Sequence, residues 1–349
     1  MQPLRWDYSS KRFAAMIGVG GVGSGMFFLL NGDHTLGREE SRSGHFLKKN
    51  DYCKLHIISH YVKVLLGDGF HVIPLARVGD DEVGHRLIDE MKSVGIETSG
   101  VDIDPERHTL FSFCFLYPDR SGGNLTTDDS ACSAVTRATV LRARSAFEQY
   151  GKTAVALAAP EVPFEARAAL LELGAEHSSY TVASFTSEEL GRPETKQMLR
   201  LVDLLCINLD EAASATGRSE KAVAPKVLVE AAVRLFTTIK PSMQVSVTMG
   251  KEGSYVWDGT ALTFAPAFPI DAVSTAGAGD AFTAGLIAGK AVGLPLRESQ
   301  ELAALVGARS VTSPHTIDKD LDRVSLSALV KRHHFTISSH LQALLTERQ

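Results

Sequence analysis

Short apolar runs of strand length alternate with longer segments of helical apolar spacing along most of this chain, and few folds accommodate that alternation. The runs are Ala14–Val19, His71–Leu75, Ala154–Ala158, Tyr180–Phe185, Leu204–Ile207 and Val245–Met249. Between them, Tyr61–Leu66, Val83–Met91, Phe164–Leu173 and Val227–Phe236 carry apolar residues at helix-compatible spacing. Strands that alternate with helices predict an α/β fold with a mainly parallel sheet covered on both faces. Two stretches break the pattern. Residues 25–49 are rich in Gly, Asn, Arg and Glu, and residues 97–133 hold a strand pair interrupted by Pro118-Asp119-Arg120-Ser121-Gly122-Gly123. With 349 residues and 44% hydrophobic content, the chain can bury a substantial core, as one large domain or two.

Charge narrows the partners. The formal net charge is −5 and no basic block stands out, so neither nucleic acid nor an acidic membrane surface is an expected partner. No apolar stretch approaches the roughly 20 residues that span a bilayer. The four cysteines (Cys53, Cys114, Cys132 and Cys206) are scattered without the spacing of a zinc site or disulfide frame. They read as reduced thiols, and Met1–Arg12 is polar, so a cytoplasmic protein is expected.

The segment richest in chemistry is Ser274-Thr275-Ala276-Gly277-Ala278-Gly279-Asp280-Ala281-Phe282. A strand-like stretch ends at Val273, small residues and two glycines follow, and helical spacing begins (Phe282, Leu286, Ile287). Glycine permits a sharp turn and a close approach of backbone to ligand. The N–H groups of a helix start face an anion, aided by about half a positive charge from the dipole. An acid at that mouth is placed to take a proton from a hydroxyl attacking a phosphoryl group. The same residues also read as a glycine turn whose Asp280 caps a helix.

Three further segments accompany it. Val245–Trp257 reads as strand, a Thr248-x-Gly250-x-x-Gly253 turn, and strand, which is also the pattern of a plain hairpin. Leu204–Glu211 is an apolar strand running into Asn208-x-x-Glu211, which serves equally as an N-cap with a capping-box glutamate. Pro74–Gly84 is a strand followed by an acidic glycine turn and a helix. In this order and spacing the four segments resemble the ribokinase/PfkB family of carbohydrate and nucleoside kinases, with the likeness running from about residue 14 to about residue 320.

The resemblance implies a three-layer ribokinase-like fold with a small β-sheet lid, a kinase domain over residues 1–335 with lid insertions near 24–49 and 97–133, and a helical tail over 336–349. It implies phosphoryl transfer from ATP to a hydroxyl of a small molecule, a sugar, a sugar acid or a related compound. Asp280 matches the family's general base, and the backbone of Gly277, Ala278 and Gly279 its anion hole. Asn208 and Glu211 match the pair that orients Mg²⁺, largely through water. Thr248, Gly250 and Gly253 match the nucleotide-binding turn. Lid strands in the family often mediate dimers, and Phe111–Tyr117 is apolar enough to serve in a homodimer.

The acceptor end departs from the pattern. Ser274 stands where relatives carry an acid that helps bind a monovalent cation, which puts potassium activation in doubt. No acid follows the first strand before Asp33, and Cys53-Lys54 and Ile58 occupy the places of a Gly-Gly pair and an Asn. Asp33 and Lys54 are therefore the candidate substrate contacts. His34, Arg38 and Arg42 on the presumed lid, together with Lys54, suggest an acceptor bearing a carboxylate or phosphate. Rival readings are a catalytically silent nucleotide- or metabolite-binding regulator and a nucleoside kinase. Gly18-x-Gly20-x-x-Gly23 after a strand matches a dinucleotide fingerprint, and would suit an oxidoreductase only if a sustained helix followed. His56 and His60, spaced i, i+4, suit either a metal or a core face.

Overall fold

The computed structural model describes residues 1–7, 11–119, 122–219 and 222–346. Arg120 and Ser121, within the predicted turn of the second lid segment, lie outside the described residues. The strands are β1 (Ala15–Val19), β2 (Gly23–Leu30), β3 (Gly44–Tyr52), β4 (His71–Gly79), β5 (Val101–Asp104), β6 (Leu110–Leu116), β7 (Gly122–Thr126), β8 (Ala154–Ala158), β9 (Tyr180–Ala183), β10 (Leu204–Asn208), β11 (Gln244–Thr248), β12 (Ser254–Trp257) and β13 (Leu262–Ala265). The helices are α1 (Lys54–Leu66), α2 (Glu82–Ser93), α3 (Arg137–Leu141), α4 (Arg144–Tyr150), α5 (Phe164–Glu176), α6 (Ser187–Leu190), α7 (Pro193–Leu199), α8 (Leu209–Thr216), α9 (Pro225–Ile239), α10 (Ala278–Ala291), α11 (Leu296–Ser310), α12 (Arg323–His333) and α13 (Ser339–Leu345).

Nine strands form the main sheet in the order β13-β12-β11-β10-β9-β8-β1-β4-β5. From β11 to β5 neighbours are parallel, and β12 and β13 add an antiparallel edge. The central strands are buried on both sides, which is why they read as continuous apolar runs. Alternation then sorts their side chains: Met16, Val155 and Leu157 join a core under α1, α2 and α10–α13, while Ile17, Ala156 and Ala158 join a second core under α3, α5 and α9. Helix α13 belongs to the first core through Leu341, Leu344 and Leu345. The three-layer expectation holds.

Segment 97–133 divides between two sheets. Val101–Asp104 pairs with β4 in the main sheet, and β6 and β7 join β2 and β3 in a four-stranded sheet of order β3-β2-β6-β7. This smaller sheet has two faces. Leu110, Ser112 and Cys114 are buried on one, whereas Met26, Phe46 and Leu125 are exposed at 49%, 58% and 63%. No regular element leads into the Gly277 turn, contrary to the strand expected to end at Val273. Residues 266–277 are irregular, and the Val273 and Ser274 N–H groups both donate to the Val311 carbonyl at the end of α11. A strand, not a helix, follows Gly18-x-Gly20-x-x-Gly23, so the dinucleotide reading fails.

Candidate active site

The strand order reverses beside β1, whose chain goes on to β4 on one flank while β8 lies on the other, and a ligand crevice forms at the carboxyl ends of strands at such a point. The segments after β1 and β8 are held together there by Ala159 N–H to Val19 O at 2.8 Å and Gly21 N–H to Pro160 O at 3.0 Å. Close approach explains Gly20, where a Cβ would lie 2.7 Å from that of Ala159. Glu161 follows at once, with φ of +75° in a region that non-glycine residues rarely adopt. Its Oε2 accepts the Lys54 N–H at 3.2 Å, so it caps α1 from outside that helix.

Lys54 reaches from the first position of α1 to Asp280, its Nζ 3.7 Å from Asp280 Oδ1. The charge of Asp280 first, with Glu161 and Glu211 behind it, holds the ammonium well above its ordinary pKa. Burial pushes the Asp280 carboxyl up, and Lys54 opposes that rise. Burial also pushes Glu161 up to about 7 against the pull of Lys54. Asp51, at the end of lid strand β3, is raised by burial too, with the Asp280 charge adding to the rise. Lys54 and Asp280 thus stand together, and Asp280 is at the start of α10, as the sequence places it.

The turn before α10 is built by its glycines and by a distant loop. Gly277 has φ of +78°, and a Cβ there would lie 2.8 Å from the Thr316 carbonyl. Around Gly279 the space is open. Ala278 N–H donates to Thr275 O at 3.3 Å, whereas among the described residues no backbone acceptor takes the N–H of Gly277 or Gly279. Of the expected anion hole, two donors therefore remain available and the third is partly engaged. Thr316 also ties this turn to the lid: its N–H donates to Asn50 O at 3.2 Å, and its hydroxyl accepts the Tyr52 N–H at 2.9 Å.

Asn208 and Glu211 form a reciprocal capping box on α8, each side chain accepting the other's N–H at 2.8 Å. The box uses Asn208 Oδ1 and Glu211 Oε2, which leaves Asn208 Nδ2 and Glu211 Oε1 outside it. Thr248 ends β11 beside Asn208 in register. Gly250 (φ +55°) opens the one-turn 3₁₀ segment that follows, with open space where a Cβ would be, whereas at Gly253 (φ +121°) a Cβ would collide with the Ala265 carbonyl.

The expected lid contacts do not join this group. Asp33 lies in the exposed turn between β2 and β3, and among the described residues no ion pair links it to Lys54. His34 and Arg42 in the same turn pair with Glu40 at 3.0 and 2.6 Å. Arg42 and the Gly37 N–H hold Glu40 down to about 2. Arg38 is exposed. Local charge pairing within one turn explains the cationic cluster. His56 and His60 are buried on α1, and burial keeps them neutral, down to about 3 and 4. Among the described residues no group of three or more His, Cys, Asp or Glu is arranged to hold a metal.

Glu161, Asp51 and Thr316 escaped the sequence reading. A signal existed for Glu161 alone, an acid between two prolines just past the carboxyl end of a buried strand. Asp51 and Thr316 acquire their places only through strand pairing and loop docking.

A family model described as pfkB family carbohydrate kinase matches residues 64–323, and the chain belongs to that family. Among curated relatives, Bacillus subtilis ribokinase is 24% identical over 245 residues, covering 70% of this chain and 76% of the relative. The 2-dehydro-3-deoxygluconokinase of the same organism is 23% identical over 291 residues, covering 77% and 87%. The solved ADP complex of Cryptococcus neoformans ribokinase shares the fold, with a TM-score of 0.73 at 18% identity over 91% of this chain and 99% of that one. The chain is a carbohydrate kinase. Among the described residues no helix is long and apolar enough to cross a membrane.

Proposed function

We propose that this carbohydrate kinase transfers the γ-phosphoryl group of ATP to a sugar hydroxyl with Asp280 as general base. The observation that carries the reading is the Asp280 carboxylate at the start of α10, beside the unengaged N–H groups of Gly277 and Gly279 and 3.7 Å from the Lys54 ammonium. The acceptor oxygen attacks the γ-phosphorus, its proton passes to an Asp280 oxygen, the bond to the β,γ-bridging oxygen breaks, and ADP leaves. General-base assistance supplies roughly 10²–10⁴ in rate, about 3–5 kcal/mol of barrier. The Gly277 and Gly279 N–H groups, with Ala278 between them, receive charge spread over the phosphoryl oxygens. Lys54 keeps Asp280 ionised before reaction and balances charge as the phosphoryl group arrives.

Thr248, Gly250 and Gly253 border the nucleotide, with the open space at Gly250 suiting close approach of a ligand to backbone. Glu211 Oε1 supplies one carboxylate oxygen for a cation or its waters, and Asn208 Nδ2 can donate to a phosphate oxygen. That donor set suits Mg²⁺, a hard cation that binds through one or two carboxylates, phosphate oxygens and retained waters. Bound there, the ion would neutralise phosphate charge. The exposed Met26, Phe46 and Leu125, with the Phe28, Phe46 and Phe113 rings packed together, support pairing of two copies through the outer face of the lid.

The test is ADP release from Mg-ATP across sugars, sugar acids, sugar phosphates and nucleosides, with Asp280→Asn in parallel. Acceptor-dependent turnover that disappears in the variant supports the reading. ATP binding without turnover on any acceptor would point instead to a binding or regulatory role.

A further inference from the structure

Asp51 is a carboxylate of this site to which the reaction above gives no task. Building on that kinase reading, we propose that Asp51 is a specificity-determining residue: it accepts hydrogen bonds from hydroxyls of the sugar acceptor and, with Glu161, turns away acceptors that carry an anionic group.

Strand register carries the first part of the argument. Gly25 of β2 and Asp51 of β3 are directly paired, so their side chains project to the same face of the lid. Gly25 has no side chain, and a Cβ built there would lie 2.8 Å from Asp51 Oδ2. The arrangement recurs four residues earlier, where a Cβ on Gly21 would lie 2.5 Å from Glu161 Oε2. Both glycines thus vacate space that a carboxylate from another segment occupies. Gly21 lies within the stretch that mimics a dinucleotide fingerprint and Gly25 two residues beyond it, so this glycine-rich segment leaves room for Glu161 and Asp51.

Hydrogen-bond capacity carries the second part. Asp51 Oδ2 accepts the Cys114 thiol at 3.5 Å, and a thiol is a weak donor. The Tyr52 N–H and the Thr316 hydroxyl also favour the charged form of Asp51, but burial outweighs all three donors and leaves the carboxyl raised, so it retains capacity for stronger donors, and sugar hydroxyls are such donors. The carboxylate is also fixed relative to the phosphoryl end, since the next residue, Tyr52, donates its N–H to Thr316, which packs on Gly277.

Charge carries the third. Asp51, Glu161, Glu211 and Asp280 act on one another or on Lys54, and that ammonium is paired with Asp280. His34 and Arg42 are engaged by Glu40. A carboxylate or phosphate on the acceptor would meet the charges of Asp51 and Asp280 and the ionised fraction of Glu161, while an uncharged polyol or an aminated sugar would not.

Binding measured apart from turnover tests this. In an Asp280→Asn background, calorimetry would compare pentoses and hexoses with the corresponding aldonic acids and sugar phosphates. The expected result is neutral-sugar binding at least roughly tenfold tighter than binding of either anionic form. Adding Asp51→Asn, or Asp51→Ser where the first variant melts early, should weaken the neutral sugar by roughly 10–100-fold, the loss expected for a hydrogen bond to a charged group. The same change should narrow the gap to the anionic acceptors while ATP binding holds. Tighter binding of a sugar acid or phosphate, unchanged sugar affinity in both Asp51 variants, or no binding by any member would overturn the proposal. A sugar that binds through Asp51 but receives no phosphate from the protein with Asp280 intact would overturn the kinase reading and leave the Asp51 assignment standing.

Discussion

The two ends of the candidate site are built by opposite means. At the phosphoryl end, one continuous segment from Gly277 to Asp280 provides the turn, the N–H donors and the acid, and α10 begins within it. At the acceptor end, Lys54 comes from α1, Glu161 from the segment after β8 and Asp51 from the lid. One end is encoded locally and through backbone, whereas the other is assembled from side chains far apart in the chain. A backbone device tolerates little change along its own few residues. A side-chain assembly can alter its preference by moving a carboxylate from one strand to its neighbour.

The largest test of this contrast is Asp280→Asn. It should lower kcat by about 10²–10⁴ with ATP affinity retained, as steady-state kinetics and nucleotide titration will show. A smaller fall would mean that the backbone alone accounts for most of the rate. Next comes Lys54→Met, which removes the Lys54–Asp280 ion pair joining the two ends and should reduce kcat by roughly 10–100-fold. Lys54 opposes the rise of the Asp280 pKa, so without it that pKa climbs further and the acid limb of the pH–rate profile moves to higher pH. An unmoved acid limb would uncouple the ends.

The glycines separate backbone shape from open space. Gly277→Ala must hold φ near +78° and press on the Thr316 carbonyl, so it should cost about 1–2 kcal/mol of stability as well as activity. Gly279→Ala meets nothing in the protein and gains helix propensity, so it should leave the melting temperature equal or higher while activity falls. Wild-type activity in Gly279→Ala would end the idea that ligand approaches at Gly279. The smallest effect expected is Thr316→Val, which strands the buried Tyr52 N–H at about 1–2 kcal/mol, read from chemical denaturation.

Legibility in the sequence follows the same division. Asp280, its glycines and the strand-helix alternation could be read because each depends on neighbours in the chain. Asn208-x-x-Glu211 was legible in its local form, and the capping box is what forms. The acceptor end was not. Asp33 was the first acid after β1 in sequence, but folding leaves it in an exposed turn, while register brings Asp51 opposite Gly25. His34 and Arg42 suggested an anionic acceptor because nothing in the linear sequence shows that Glu40 takes them both. Val101–Asp104 resembled lid strand as readily as main sheet, since only its pairing with β4 decides.

Thr316 contacts both ends, its N–H and hydroxyl on the lid strand and its carbonyl against Gly277. Any displacement of that strand on sugar binding would therefore be transmitted to the Gly277 turn, proposed above to face the nucleotide. Free energies of binding obey a closed cycle, so whatever factor the sugar applies to ATP affinity, ATP must apply to sugar affinity. The two substrates of this kinase should accordingly bind with mutual cooperativity, and loosening Thr316 should bring both affinities toward their independent values together.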